Sequence, residues 1–238
     1  MAAGEGRVND DGKTISLNKA GGYALCIGAL LLTIPFILQI TFGGTPEEGT
    51  LIWRYFSNEI IAGGSLSLLY SLLSVTGIAF LIFGLYTLNQ ILQKEKEDGL
   101  LSLGTVFAIL GSIGFMFVWS LDYHILWGQS VVGEGEWKDA SLGMTMEIGI
   151  VLLFGAVNWS GIQCIASALA MREYGNTAIL KITSAFAGLH VVNHYYTIFT
   201  LDPMSANSIM PFFIGMSIGQ LVLLAFNVSL GLRMLKNN

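Results

Sequence analysis

From Gly22 to Phe42 the chain carries no charged residue, and charge-free runs recur at Ile60–Gln93, Leu100–Leu121, Ile182–Thr200 and Ser208–Leu232. Leu142–Met171 makes a sixth run, interrupted only by Glu147. Each approaches or exceeds the about 20 apolar residues that carry a helix across about 30 Å of hydrocarbon. A backbone in lipid has no water to bond, so such a run must satisfy its own N–H and C=O groups as a helix. Composition agrees with this reading. Charged residues make up 11% of the 238 residues and mean hydropathy is +0.67, whereas a soluble domain carries about 25% charge. The chain lacks the charge to cover a soluble surface.

The expected fold is an all-α integral membrane protein: a bundle of six transmembrane helices with short loops. A tail at 1–21 precedes a transmembrane domain at 22–235, with approximate spans 22–42, 66–89, 101–121, 143–170, 178–199 and 208–232; residues 236–238 form the other tail. The first span reads as retained, because Glu5, Asp10 and Asp11 precede it and its apolar run is too long for a signal-peptide core. Pro35 bends that span without ending it. The second run exceeds one helix, so Ile60–Leu66 is expected to tilt or lie in the interface behind Gly63-Gly64.

Basic residues set the orientation. Arg7, Lys13, Lys19, Lys94, Lys96, Arg172, Lys181, Arg233 and Lys236, nine of the 11, fall in the tails and alternate loops; only Arg54 and Lys138 fall opposite. The bias places both termini in the cytoplasm and fits an even number of crossings. The larger external segments, Gly43–Glu59 and Asp122–Ser141, carry Trp53, Trp127 and Trp137 for interfacial anchoring. Trp119, Tyr123, Tyr195 and Tyr196 fit an aromatic belt. A net charge of −5 without a basic-aromatic surface excludes nucleic-acid binding. Cys26 and Cys164 read as small hydrophobes within spans.

Small residues mark close helix approaches, because hydrocarbon supplies no hydrophobic drive for association. Gly104, Ala108 and Gly111 form one such stripe, Gly215 and Gly219 another, and Ser67, Ser71 and Ser74 a small polar one. Packing alone explains all three.

The scarce polar groups carry the functional reading. Thr183, His190, His194 and Thr197 fall in one narrow sector of the fifth span, so this stripe should face the bundle. His190 lies about 13.5 Å beyond Lys181 and His194 one turn farther, in the expected outer half. Asp122 and His124 follow the third span, and Glu147 enters the fourth on that same side. If those helices adjoin, Glu147, His190 and His194, with His124 or Asp122 added, form a candidate Cu, Fe or Zn site. Haem between His124 and His190 or His194 is a less favoured use of the same residues. An interhelical polar network with no cofactor is the alternative for each histidine alone.

The leading expectation is a membrane-embedded subunit of a larger complex, oxidoreductase-associated or metal-binding. Other membrane subunits or a second copy would cover its Gly-rich faces in the bilayer. The alternative is a small-solute or proton transporter, with Glu147 and Asn158 on one helix face and Gln220 and Asn227 on another lining a hydrated path. A purely structural assembly subunit is the third reading.

Overall fold

The computed structural model describes residues 15–43, 46–132 and 138–236, all helix and turn. Arg7, Lys13, Trp137 and most of the expected tails lie outside the described residues. The elements are α1 Leu17–Gly43, α2 Ile52–Gly63, α3 Ser65–Glu95, α4 Gly99–Val132, α5 Lys138–Met171, α6 Thr177–Thr200 and α7 Ala206–Lys236. Helices α1, α3, α4, α5 and α7 are each long and apolar enough to cross a membrane. The chain is therefore an all-α, multi-pass integral membrane protein. Helix α6 has 24 residues, enough length for a crossing, but its two histidines, Asn193 and tyrosines make it the most polar of the long helices.

Each long helix contacts the next, and α7 returns to α1, so the order α1–α3–α4–α5–α6–α7 closes a ring. Side chains are sorted as lipid requires. On α6, Leu189, Val192 and Phe199 are 72%, 65% and 85% exposed, while His190 and His194 are 3% and 0% exposed. Apolar groups face out and polar groups face in, the reverse of a protein surrounded by water.

Glycine sets how closely the helices approach. A Cβ on Gly28 would stand 2.7 Å from the Gly77 carbonyl oxygen, and one on Gly22 would stand 2.8 Å from that of Gly231, which joins α1 to α3 and to α7. Between α4 and α5 the seam is longer. Gly104 meets Gly161, Cys164 and Ile165, Gly111 meets the Asn158 backbone, and Gly114 meets the Phe154 ring. The expected stripe of Gly104, Ala108 and Gly111 is this seam.

The turns between helices are held by side chains. Asp98 Oδ1 accepts from Leu100 and Leu101 N–H at the start of α4, while Gln93 brackets the turn by accepting from Asp98 N–H and donating to Asp98 O and Ser102 Oγ. Asn176 caps α6 by accepting from Ala178 and Ile179 N–H. Arg172 donates to the Leu92 carbonyl oxygen near the end of α3.

Two expectations change. Gly43–Glu59 was expected as a loop, but Ile52–Gly63 is a helix with Ile52 and Ile60 buried and Arg54 and Asn58 exposed. It packs on α3, α4 and α5 at one end of the ring. Ile60 and Leu66 belong to different helices, separated by Gly64, whose φ of 52° suits glycine and whose N–H bonds the Ile60 and Ile61 carbonyls. Helix α4 also runs past Leu121, so Asp122 and His124 lie inside a helix rather than after one. The end of a charge-free run marks where charge enters, not where the helix stops.

Replacing Gly111 with Ala would set a Cβ 2.4 Å from Asn158 Cβ and 2.5 Å from its Cα, whereas Gly149 has nothing within 4 Å of its Cβ position. Thermal unfolding in detergent is expected to show Gly111→Ala destabilised by about 1–3 kcal/mol. Gly149→Ala should unfold at the wild-type temperature or above.

Candidate functional site

The α4–α5 seam runs antiparallel, so its register extends along both helices. The eleven residues from Gly111 to Asp122 on α4 match the eleven from Asn158 back to Glu147 on α5. Because Gly111 sits on Asn158, Asp122 arrives beside Glu147 three turns away. The two carboxyl groups are in hydrogen-bonding contact, and Gln39 of α1 also reaches Asp122. Ser71 of α3 donates its hydroxyl to Asp122 Oδ2. Asp122 is 0% exposed and Glu147 7%. Asp122 Oδ1 and Glu147 Oε2 are both buried without a donor. A proton held between the two groups satisfies both oxygens, since ionised carboxylates only accept.

Glu147 and its neighbours open onto a cavity of about 420 Å³ inside the ring. Asn158, Gln220 and Asn227 also line it. Asn158 Nδ2 donates to Ala108 O at 2.9 Å and Ser112 Oγ at 3.0 Å. Asn227 Nδ2 donates to Leu223 O at 2.9 Å, which orients its Oδ1 as a free acceptor. Gln220 Oε1 is a second buried acceptor without a donor. The remaining lining is largely apolar and aromatic, including Phe36, Phe115, Trp119, Trp159 and Phe212. At the α2 end the cavity reaches Ala62, Gly63 and Leu66, which are exposed. Toward the other end of the ring, fully buried Leu88, Leu92, Leu101, Leu169 and Leu230 form a tight apolar core.

The histidines stand behind this wall. Thr183, His190, His194 and Thr197 are all buried on α6, but no α6 residue lines the cavity. His190 packs edge-on to Trp159 with ring centroids 4.7 Å apart, and its Nε2 lies 3.3 Å from Met216 Sδ. His194 packs on Phe212 at 4.9 Å. His194 Nδ1 donates to the His190 carbonyl oxygen at 2.8 Å, leaving Nε2 as a buried lone pair without a partner. That nitrogen lies against Gly155, where a Cβ would stand 2.3 Å away. Gly155 is eight residues beyond Glu147 on α5, about 12 Å along the axis.

The five candidate ligands thus fall into separate places. Asp122 and Glu147 meet each other, with Glu147 lining the cavity, His190 and His194 pack edge-to-face on α6, and His124 is exposed on α4 against Gly143. Among the described residues no group of three or more His, Cys, Asp or Glu side chains is arranged to hold a metal ion. The four candidate path residues, Glu147, Asn158, Gln220 and Asn227, instead share one cavity.

Sequence reasoning missed three features. Trp119, expected in an aromatic belt, is buried against Phe36 and lines the cavity. Gly215 and Gly219 receive the His190 and Trp159 rings rather than another helix backbone. Ser71 is the donor to Asp122; its place on the small polar stripe was the available signal. No known protein family, curated protein or solved structure matches the chain, so the reading of function rests on its own residues.

Ser71→Ala removes a buried carboxyl's donor, at an expected cost of about 1–3 kcal/mol in unfolding free energy. In an Asp122→Leu background that cost should fall by about 1 kcal/mol or more, measured as a double-mutant cycle. An equal cost in both backgrounds would reduce Ser71 to a packing residue.

Proposed function

We propose that this chain is a proton-linked membrane carrier of a small molecule, with the Asp122–Glu147 pair as its proton site and the central cavity as its binding chamber. The observation that carries this reading is the joining of the two: Glu147, one member of the buried carboxyl pair, lines a chamber that is also lined by Gln220 and Asn227, each with a side-chain oxygen that has no donor. Two carboxyls in contact retain a proton readily and release it when a neighbouring charge changes. The chamber reaches exposed residues at the α2 end and meets a sealed leucine core at the other, as one state of an alternating-access cycle requires.

In this reading α6 is the sixth crossing. Both termini face the cytoplasm, as the distribution of basic residues supports. The carboxyl pair and α2 then lie toward the external face. His190 and His194 brace Trp159 and Phe212, two residues of the chamber wall. A second reading keeps these histidines as ligands: His190 Nε2, Met216 Sδ and the free His194 Nε2 offer soft and nitrogen donors to an ion such as copper. Elemental analysis of washed protein separates the two, since stoichiometric copper lost on His190→Ala supports only the second.

In proteoliposomes carrying a pH-sensitive dye, an imposed proton gradient should dissipate faster with the protein present. Glu147→Gln is expected to reduce that flux by roughly tenfold or more, because the amide cannot release a proton. Unchanged flux in a folded Glu147→Gln variant would defeat the proton role.

A further inference from the structure

We infer that the chamber's ligand is a lipophilic organic cation, an aromatic or alkyl ammonium, whose binding displaces the proton from the carboxyl pair. The inference rests on the carrier reading for the identity of the chamber, but its ligand chemistry comes from the lining itself. The ionisable acids of the lining are Glu59 from α2 and Glu147 from α5, and no Lys, Arg or His lines the chamber among the described residues. Gln220 and Asn227, 6% and 3% exposed, each present a carbonyl oxygen without a donor. A lining with two acids and no basic side chain favours a ligand that brings positive charge, since its neutral donors, such as the Ser67 and Tyr70 hydroxyls, give an anion no counter-charge.

The apolar body is specified as firmly. A volume of about 420 Å³ falls within the range of about 300–1,000 Å³ for small-molecule sites. Trp119, Trp159, Phe36, Phe115 and Phe212 border it, and aromatic faces attract a desolvated cation most strongly where water is excluded. An inorganic cation would leave these rings against water, and among the described residues no group of three or more His, Cys, Asp or Glu side chains is arranged to replace its hydration shell.

The exchange balances in charge. A carboxyl pair sharing one proton carries a single negative charge. When the ammonium enters, the shared proton leaves to water at the α2 end, and the doubly ionised pair with its cation again carries a single negative charge. Gln39 from α1 and Ser71 from α3 contact the pair, and Glu59 from α2 and Tyr70 from α3 line the same chamber as Glu147. None supplies a competing positive charge.

The test compares naphthylmethylammonium with the neutral isostere naphthylmethanol on full-length protein in weakly buffered detergent, using calorimetry for affinity and an indicator dye for protons. The ammonium is expected to bind roughly tenfold or more tightly than the alcohol, with close to one proton released per ligand. Glu147→Gln should abolish both the preference and the proton release. Asn227→Leu, which keeps the pair, should weaken the ammonium severalfold while leaving the proton count intact. Equal affinities for the two probes, binding of neither, or ammonium binding without proton release would overturn the inference, and the wild-type comparison decides even if a variant fails to fold. Glu147-dependent proton flux with no ammonium preference would overturn the ligand class and leave the carrier; ammonium preference with no flux would do the converse.

Discussion

The close antiparallel seam between α4 and α5 is the contact on which the rest of the interior depends. Gly104, Gly111 and Gly161 let two backbones approach where lipid gives no hydrophobic incentive for helices to associate. Once Gly111 is seated on Asn158, helical geometry fixes what meets what farther along. Asp122 reaches Glu147, and the α5 face carrying Gly155 and Trp159 is set for the α6 histidines. A side chain at Gly111 would push apart not only two helices but also a carboxyl pair three turns away. Stability and chemistry share one register.

The polar interior follows from the same economy. In hydrocarbon an unpaired polar group is costly, so Ser71, Asp122, Glu147, Gln220 and Asn227 all turn inward. Most find partners along their own helix or the next. Thr105, Ser160, Thr197 and Ser217 each donate to the carbonyl four residues back. Others find none, among them Ser74 Oγ and Thr183 Oγ1 away from the cavity, and Gln220 Oε1 and Asn227 Oδ1 on residues that border it. Packing of polar residues for its own sake would place their partners nearby, as Asn158 finds Ser112. For Gln220 and Asn227, which border the chamber, the proposed occupant that brings donors accounts for the missing partners.

What the sequence made legible were the long helices and their inward faces. Charge-free runs located the long helices, and a spacing of four between His190 and His194 set both on the buried stripe of α6. Periodicity carries that information because it is local to one helix. Distance between helices is not local. Nothing in the order of residues tells that Glu147 meets Asp122 while His194 meets Gly155 two turns away, and a shared expected depth made Asp122, His124, Glu147, His190 and His194 look like one cluster. Helix α2 was missed because its short amphipathic pattern begins outside a charge-free run, with Arg54, Asn58 and Glu59 in the way. Trp119 shows the same limit, since a tryptophan near a span end suits a membrane interface as well as it suits an interior wall.

The separation of histidines from carboxyls gives each set a distinct task. A metal centre would draw nitrogen and oxygen ligands to one point, but here His190 and His194 pack on Trp159 and Phe212 from behind, while Glu147 lines the chamber with Asp122 beside it. Imidazoles suit such support because a ring can stack on its neighbours and still bond the backbone of its own helix, as His194 does to His190. The cost is a stiff wall on the α6 side, with Gly155, Gly215 and Gly219 cut away to receive the rings of that wall. The opposite boundary is built differently. Helix α2 is short, joins α3 through Gly63-Gly64, and borders the chamber where it reaches exposed residues. The chamber's two boundaries are thus built from different contacts: packed aromatic rings on the α6 side, and on the α2 side a short helix that joins α3 through Gly63-Gly64.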